Sequence, residues 1–175
     1  MEAEHYSRAV DNPPMCWLVI PDLGRTLSGV TMMPVTASKQ AAAGDSPRLE
    51  YEVFVLDQGQ VTVKAFLSPT LNFYDHQGLR YGISFDEEPV QIVNMHEGRT
   101  LQDWERSVSD NIALGISRHT LTRPGGHVLK FWAVDAGVVL QRIVIETGPV
   151  PATYLGPPES CKGTGDASLT NERLP

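Results

Sequence analysis

Residues 70–78, TLNFYDHQG, set two aromatic rings, Phe73 and Tyr74, among Asn72, Asp75 and His76, with Arg80 close behind. These residue types suit a sugar, because the apolar face of a pyranose stacks on an aromatic ring while its hydroxyls require directed hydrogen bonds. A uronic acid would also need a cation, and Arg80 is the nearest one. Asn72, Phe73, Tyr74, His76 and Arg80 are therefore the candidate carbohydrate-binding residues, on a loop of the kind that carries function when rigid strands hold it. The competing reading is structural, with Phe73 and Tyr74 closing the end of a sheet sandwich.

No catalytic residue is assigned. Asp86, Glu87 and Glu88 form an acidic cluster, but a glycosidase needs two carboxyl groups held across a scissile bond in environments that separate their pKa values. Adjacent carboxylates before Pro89 read instead as a solvent-facing turn. His5, His76, His96, His119 and His127 show no two-ligand spacing such as H-x-x-x-H, so each reads as a surface or hydrogen-bonded side chain. There is no Gly-x-Ser-x-Gly elbow and no phosphate-binding loop. Cys16 and Cys161 lack metal-like spacing, and both a disulfide and two free thiols stay open.

Short strands must position these groups. In GGHVLKFWAVDAGVVLQRIVIETG, residues 125–148, Leu129, Phe131 and Ala133 fall on one face of a first run, and Val139, Ile143 and Ile145 on one face of a second. Asp135-Ala136-Gly137 between them predicts a hairpin. The alternating runs LEYEVFVL and VTVKAFL, joined by residues 57–60, predict another. LRYGISF puts Leu79, Tyr81, Ile83 and Phe85 on one face, and residues 90–93 follow as a further strand. Residues 3–6, 17–20, 31–35 and 119–122 complete the strand set, the first as an edge strand and the third limited by Pro34 to an edge or bulge. Leu101, Trp104, Val108 and Ile112 recur at helical spacing, and Thr100 with Asp103 resembles a capping box, so residues 100–114 predict one short helix.

Among the indoles, Trp17 and Trp104 read as core. Trp132 shares its face with Lys130, so it is expected to be partly exposed and to serve a domain interface or a ligand. Gln141 stands on an apolar face, where an amide must find partners or cost about 1–3 kcal/mol. The whole predicts an all-β fold: a two-sheet antiparallel β-sandwich of jelly-roll, galactose-binding-like type with one short helix, spanning residues 1–160. Residues 161–175 read as a disordered tail by composition.

A hydrophobic share of 41% with 20% charged residues is that of a soluble globular chain, and a net charge of −7 without a basic cluster excludes a nucleic-acid partner. No apolar run has the length of a membrane span. Met1 is followed at once by Glu2 and Glu4, so no signal peptide is expected, and no motif requires a cofactor.

Several stretches in order resemble the C-terminal domain of glycoside hydrolase family 115, the xylan α-1,2-glucuronidases: EAEHY, WLVIPDLGRT, PRLEYEV, LSPTLNF, GLRYGISFD, the 125–148 run and YLGPPES. The resemblance implies a non-catalytic β-sandwich, structural or interfacial in role, whose partners are upstream catalytic domains or a second subunit, with contact to glucuronoxylan. It also implies an extracellular setting if the parent enzyme is secreted. A weaker resemblance, to carbohydrate-binding modules of families 6 and 35, implies the alternative of a stand-alone xylan-binding module. In those modules opening glutamates and an aspartate on the last strand hold a structural Ca²⁺, which would place a metal at Glu2, Glu4 and Gln141. The amide there brings no charge. Gln141 either closes that site or ties the last strand to the first through hydrogen bonds.

Overall fold

The computed structural model describes residues 1–73, 77–151 and 153–160. Ten strands follow one another: β1 (Arg8–Val10), β2 (Cys16–Ile20), β3 (Gly29–Met33), β4 (Arg48–Val55), β5 (Gly59–Leu67), β6 (Arg80–Phe85), β7 (Gln91–Asn94), β8 (Ala113–Leu121), β9 (Gly125–Ala133) and β10 (Val139–Glu146), with helix α1 (Leu101–Asp110) between β7 and β8. They build two five-stranded sheets, ordered β1-β4-β9-β6-β7 and β2-β3-β10-β5-β8, in which every pairing is antiparallel. The fold is the expected all-β sandwich.

Period-two alternation explains the core. Leu49, Tyr51, Val63, Ala65, Tyr81, Ile83, Phe85, Leu129 and Phe131 are all buried between the sheets. Tyr81 stacks on Phe131 with ring centroids 5.1 Å apart, and Trp17 meets Phe131 edge-on, half-buried, its indole Nε1 donating to the Val10 carbonyl at 3.1 Å. No helix among the described residues is long and apolar enough to cross a membrane.

Neither predicted hairpin forms. β9 pairs with β4 and β6, while β10 pairs with β3 and β5 in the opposite sheet. Likewise β4 and β5 lie in different sheets. Alternation fixes which side chains point inward, and two consecutive runs satisfy it equally well by facing each other across the core. The connection after β9 makes that crossing: Val134, Asp135, Ala136 and Val138 are all buried, and Gly137 turns at φ +89° with the Phe73 ring against its open side. β6 and β7 do form an adjacent antiparallel pair.

The N-terminal segment differs too. Residues 3–5 form a 3₁₀ turn in place of an edge strand, and the edge strand is β1, paired with β4. The turn drops Ala3 into the core, where its carbonyl accepts a 2.7 Å hydrogen bond from the buried Tyr51 hydroxyl.

Helix α1 starts as expected: Thr100 Oγ1 accepts from the Asp103 N–H, and the Asp103 carboxylate accepts from the Thr100 N–H at 2.9 Å. It ends sooner, at Asn111 in the left-handed conformation, so Ile112 lies outside the helix and β8 begins at Ala113, well before the predicted strand. Its orientation also departs from expectation. Leu101 is 73% and Val108 52% exposed, whereas Ser107 is the residue turned inward.

Candidate functional site

The chain leaves β5 into the 70–73 loop, which one histidine ties down. His96 Nδ1 accepts from the Leu79 N–H at 3.0 Å, which leaves Nε2 to donate to the Thr70 carbonyl at 2.8 Å. Beyond this anchor Asn72 is exposed and Phe73 is 54% exposed. Tyr74 and His76 lie outside the described residues. Between the loop and α1 runs a groove of about 390 Å³, walled by Leu71, Asn72, Arg99, Thr100 and Trp104 over a floor of Met95.

Arg99 is the cation of this groove. One guanidinium nitrogen donates to the Leu114 carbonyl and another lies 3.4 Å from Ser107 Oγ, so the charge is held at the wall beside Trp104. Sequence reasoning missed both residues. Trp104 is half-buried and lines the groove, where it was expected in the core, because α1 turns Ser107 inward instead. The available signal was Arg99 standing directly before the capping box, one turn from the indole.

Arg80, the predicted uronate partner, is held chiefly by Asp135, while another guanidinium nitrogen lies 3.3 Å from Gln77 Oε1 of the loop. Its Nε and Nη2 donate to the two oxygens of Asp135 at 2.7 and 3.1 Å, and its backbone N–H adds a third bond to the same carboxylate. The Asp135 side chain is 1% exposed, so the pair locks the β9–β10 crossover. Trp132 is covered as well, at 6% exposure: its Nε1 donates to Ser84 Oγ at 2.9 Å and the Arg48 guanidinium lies 4.9 Å over the ring. The expectation of a partly exposed indole fails because the flanking strands β4 and β6 lay Arg48 and Ser84 against the ring. Lys130 on the same face is buried along its stem and reaches Glu87 at 2.8 Å.

The acidic turn is structural. Asp86 sits at φ +47°, where its Oδ1 accepts from the Val128 N–H at 2.9 Å and its Oδ2 takes the His127 Nδ1–H at 2.7 Å. Burial pushes this carboxyl up, but the bonds from Val128 and His127 outweigh it and hold the group below the ordinary aspartate value. A depressed folded-state pKa contributes stability that is present above the unfolded value, about 4, and is lost as pH falls through the folded one. The Asp86→Asn variant is therefore expected to show a shallower loss of stability below about pH 4 in urea titrations across the acid range. An acid limb identical to that of the parent would refute this role. His5 pairs with Glu159, and His119 with Ser117 and Gln91, so every described histidine is hydrogen-bonded.

At the implied metal position, Glu2 is buried, its Oε2 accepting from Thr26 Oγ1 at 2.6 Å and its Oε1 lying 3.3 Å from Arg142 Nε. Glu4 is half-buried nearby in the 3₁₀ turn. Gln141 is buried and fully engaged: Oε1 accepts from the Arg25 N–H at 3.0 Å, and Nε2 donates to Ser68 Oγ at 3.0 Å and to the Asn111 carbonyl at 3.1 Å. A register shift between Leu140 and Arg142 lifts it out of the β10–β5 ladder. The amide thus ties the last strand to the β2–β3 connection and the end of α1, and not to the first segment. Among the described residues no group of three His, Cys, Asp or Glu side chains is placed to hold a metal ion. Cys16 is exposed, and Cys161 lies outside the described residues.

Comparison with known proteins places this architecture. No curated protein matches the sequence. In structure the chain is similar to a family GH115 4-O-methyl-α-glucuronidase with specificity for decorated arabinogalactans, at a TM-score of 0.65 and 19% identity over 85% of this chain. It spans only 17% of that enzyme's length. It is also similar to an exo-β-1,3-galactanase from Phanerochaete chrysosporium (TM-score 0.52, 13% identity, 83% of this chain and 28% of that one). A family 35 carbohydrate-binding module from Clostridium thermocellum aligns over 79% of this chain and 96% of its own, at a TM-score of 0.47 and 15% identity. The sequence family described as the glycosyl hydrolase family 115 C-terminal domain matches residues 1–159, nearly the whole of the chain, and the chain belongs to that family.

Proposed function

We propose that the chain is a non-catalytic accessory domain of a polysaccharide-degrading α-glucuronidase and that it contacts the sugar chain through the groove between the 70–73 loop and α1. The observation that carries this reading is the groove's lining, in which an indole, Trp104, stands beside a fixed guanidinium, Arg99, and a free-standing amide, Asn72. An aromatic face for the pyranose, a cation for a uronate and an amide for hydroxyls are the groups such a ligand requires. Glucuronoxylan is the substrate class that the family membership suggests, and decorated arabinogalactan is the one suggested by the structurally similar enzyme.

A second reading rests on the outward apolar residues of α1. Leu101 and Val108 offer a surface for an upstream catalytic domain or a second subunit, which would make the role structural.

Titration of the purified chain with glucuronoxylan, aldouronic acid fragments and decorated arabinogalactan, alongside an assay for released glucuronic acid, separates these readings. Saturable binding without release is expected, and Trp104→Ala should weaken it by about tenfold, equivalent to 1.4 kcal/mol. Release of acid by the chain would overturn the non-catalytic reading. Binding unaffected by Trp104→Ala would overturn the groove, and no binding to any of the polysaccharides would leave the interface reading in its place.

A further inference from the structure

The modules that this fold resembles use a calcium ion to join the opening segment to the last strand, and the side chains here do not fit one. We propose that Arg142 takes the metal's place, so that the junction is closed by a cation belonging to the chain itself.

The guanidinium joins the two elements that such an ion would clamp. Glu2 on the opening segment and Arg142 in β10 form an isolated antiparallel bridge through their backbones, which brings together the two elements that the metal would clamp. Their side chains then meet in the interior as an ion pair, with Arg142 Nε 3.3 Å from Glu2 Oε1 but not hydrogen-bonded to it, and only 7% and 5% of the respective side chains exposed. The remaining guanidinium nitrogens donate to the carbonyls of Leu155 and Pro157. A carboxylate and two backbone carbonyls are the hard oxygen ligands that calcium prefers, and here the carbonyls take guanidinium N–H donors while the carboxylate faces the same cation as its counter-charge.

What surrounds the pair excludes a second cation. The other Glu2 oxygen is taken by the Thr26 hydroxyl. Gln141, which the resemblance sets in the place of the modules' aspartate, spends its carbonyl oxygen on the Arg25 N–H. The Arg25 guanidinium lies 3.9 Å over the Tyr154 ring and donates to the Tyr154 and Asp110 carbonyls, which places a second positive charge on the same side of the molecule. A divalent ion beside Glu2 would face Arg142 at contact distance, and the neighbouring Glu159 carboxylate is already taken by the Glu2 N–H and His5. The arginine also does something a bound ion in this place would do: it fastens the segment after β10, residues 153–160, back over the opening turn, where Glu159 accepts from the Glu2 N–H at 2.9 Å and pairs with His5.

Calcium titration and thermal unfolding of the full chain test this. The melting temperature should be the same in excess calcium chloride and in EGTA, and calorimetric titration with calcium should show no saturable site. Arg142→Gln should lower the melting temperature by about 10 °C, because it leaves Glu2 buried without its counter-charge. Glu2→Gln removes the other half of the pair and should also lower it, which supplies a second reading if the arginine variant fails to fold. Stoichiometric calcium binding by the unaltered chain, or a melting temperature raised by calcium and lowered by EGTA, would overturn the proposal. So would an Arg142→Gln variant that melts where the unaltered chain does.

Discussion

Replacing Gly115 by alanine should destabilise the domain by about 3 kcal/mol, the upper part of the range for overpacking a closed core. Gly115 lies in β8 opposite Ala65 of β5, and these two small residues open the space through which Tyr81 reaches across from the other sheet. A Cβ at position 115 would fall on the Tyr81 hydroxyl oxygen and stand 2.9 Å from Cζ. The tyrosine cannot yield, because it is buried and its ring is stacked on Phe131. Tyr81→Phe removes the atom in closest conflict but not the ring carbon, so the cost of Gly115→Ala should fall by about 1–2 kcal/mol in that background without vanishing. Urea unfolding of the four proteins of this cycle measures the coupling. Additive losses would mean that the two sheets adjust their spacing at this point instead of transmitting the clash.

The second large effect is expected at Asp135. Its carboxylate takes three hydrogen bonds from Arg80, two from the guanidinium and one from the backbone, in the buried connection between β9 and β10. Breaking a buried pair from one side costs about 3–5 kcal/mol, since the remaining charge keeps its desolvation penalty without its counter-ion. Asp135→Ala should therefore lose stability on that scale, and Asp135→Asn less, because the amide oxygen still accepts one bond. The same placement predicts that Arg80→Gln weakens the fold before it alters any sugar affinity. A normal unfolding midpoint for Arg80→Gln together with lost binding would return Arg80 to the role that its sequence neighbourhood suggests.

Strand identity was legible in the sequence because alternation is a local property. Leu79, Tyr81, Ile83 and Phe85 announce both a strand and its buried face, and the structure buries all four. Strand partnership was not, since the pattern of β9 and β10 is the same whether they lie side by side or face each other. The helix shows the same division. Thr100 and Asp103 mark its start, but Leu101 and Val108 of the stripe face outward and Trp104 lines the groove, because Ser107 is the residue turned inward. Of the candidate site, Asn72 lines the groove and Phe73 stands exposed beside it, whereas Arg80 and Trp132 have partners that lie far away in sequence, Asp135 and Arg48. Side-chain type pointed to the right chemistry, but only tertiary contacts decide which cation is committed elsewhere.

The position of β9 and β10 also governs when this fold can exist during synthesis. Each is the central strand of its sheet. Until both have emerged from the ribosome, the chain holds only the partial ladders β1-β4, β6-β7, β2-β3 and β5-β8, and isolated two-stranded ribbons are marginal in water. All four must wait for residues 125–146, whose pairings reach back as far as Val30 and Arg48. Folding of this domain thus waits until residues 125–146 have emerged, and a nascent chain halted before β10 carries most of the core residues with nothing to close over them.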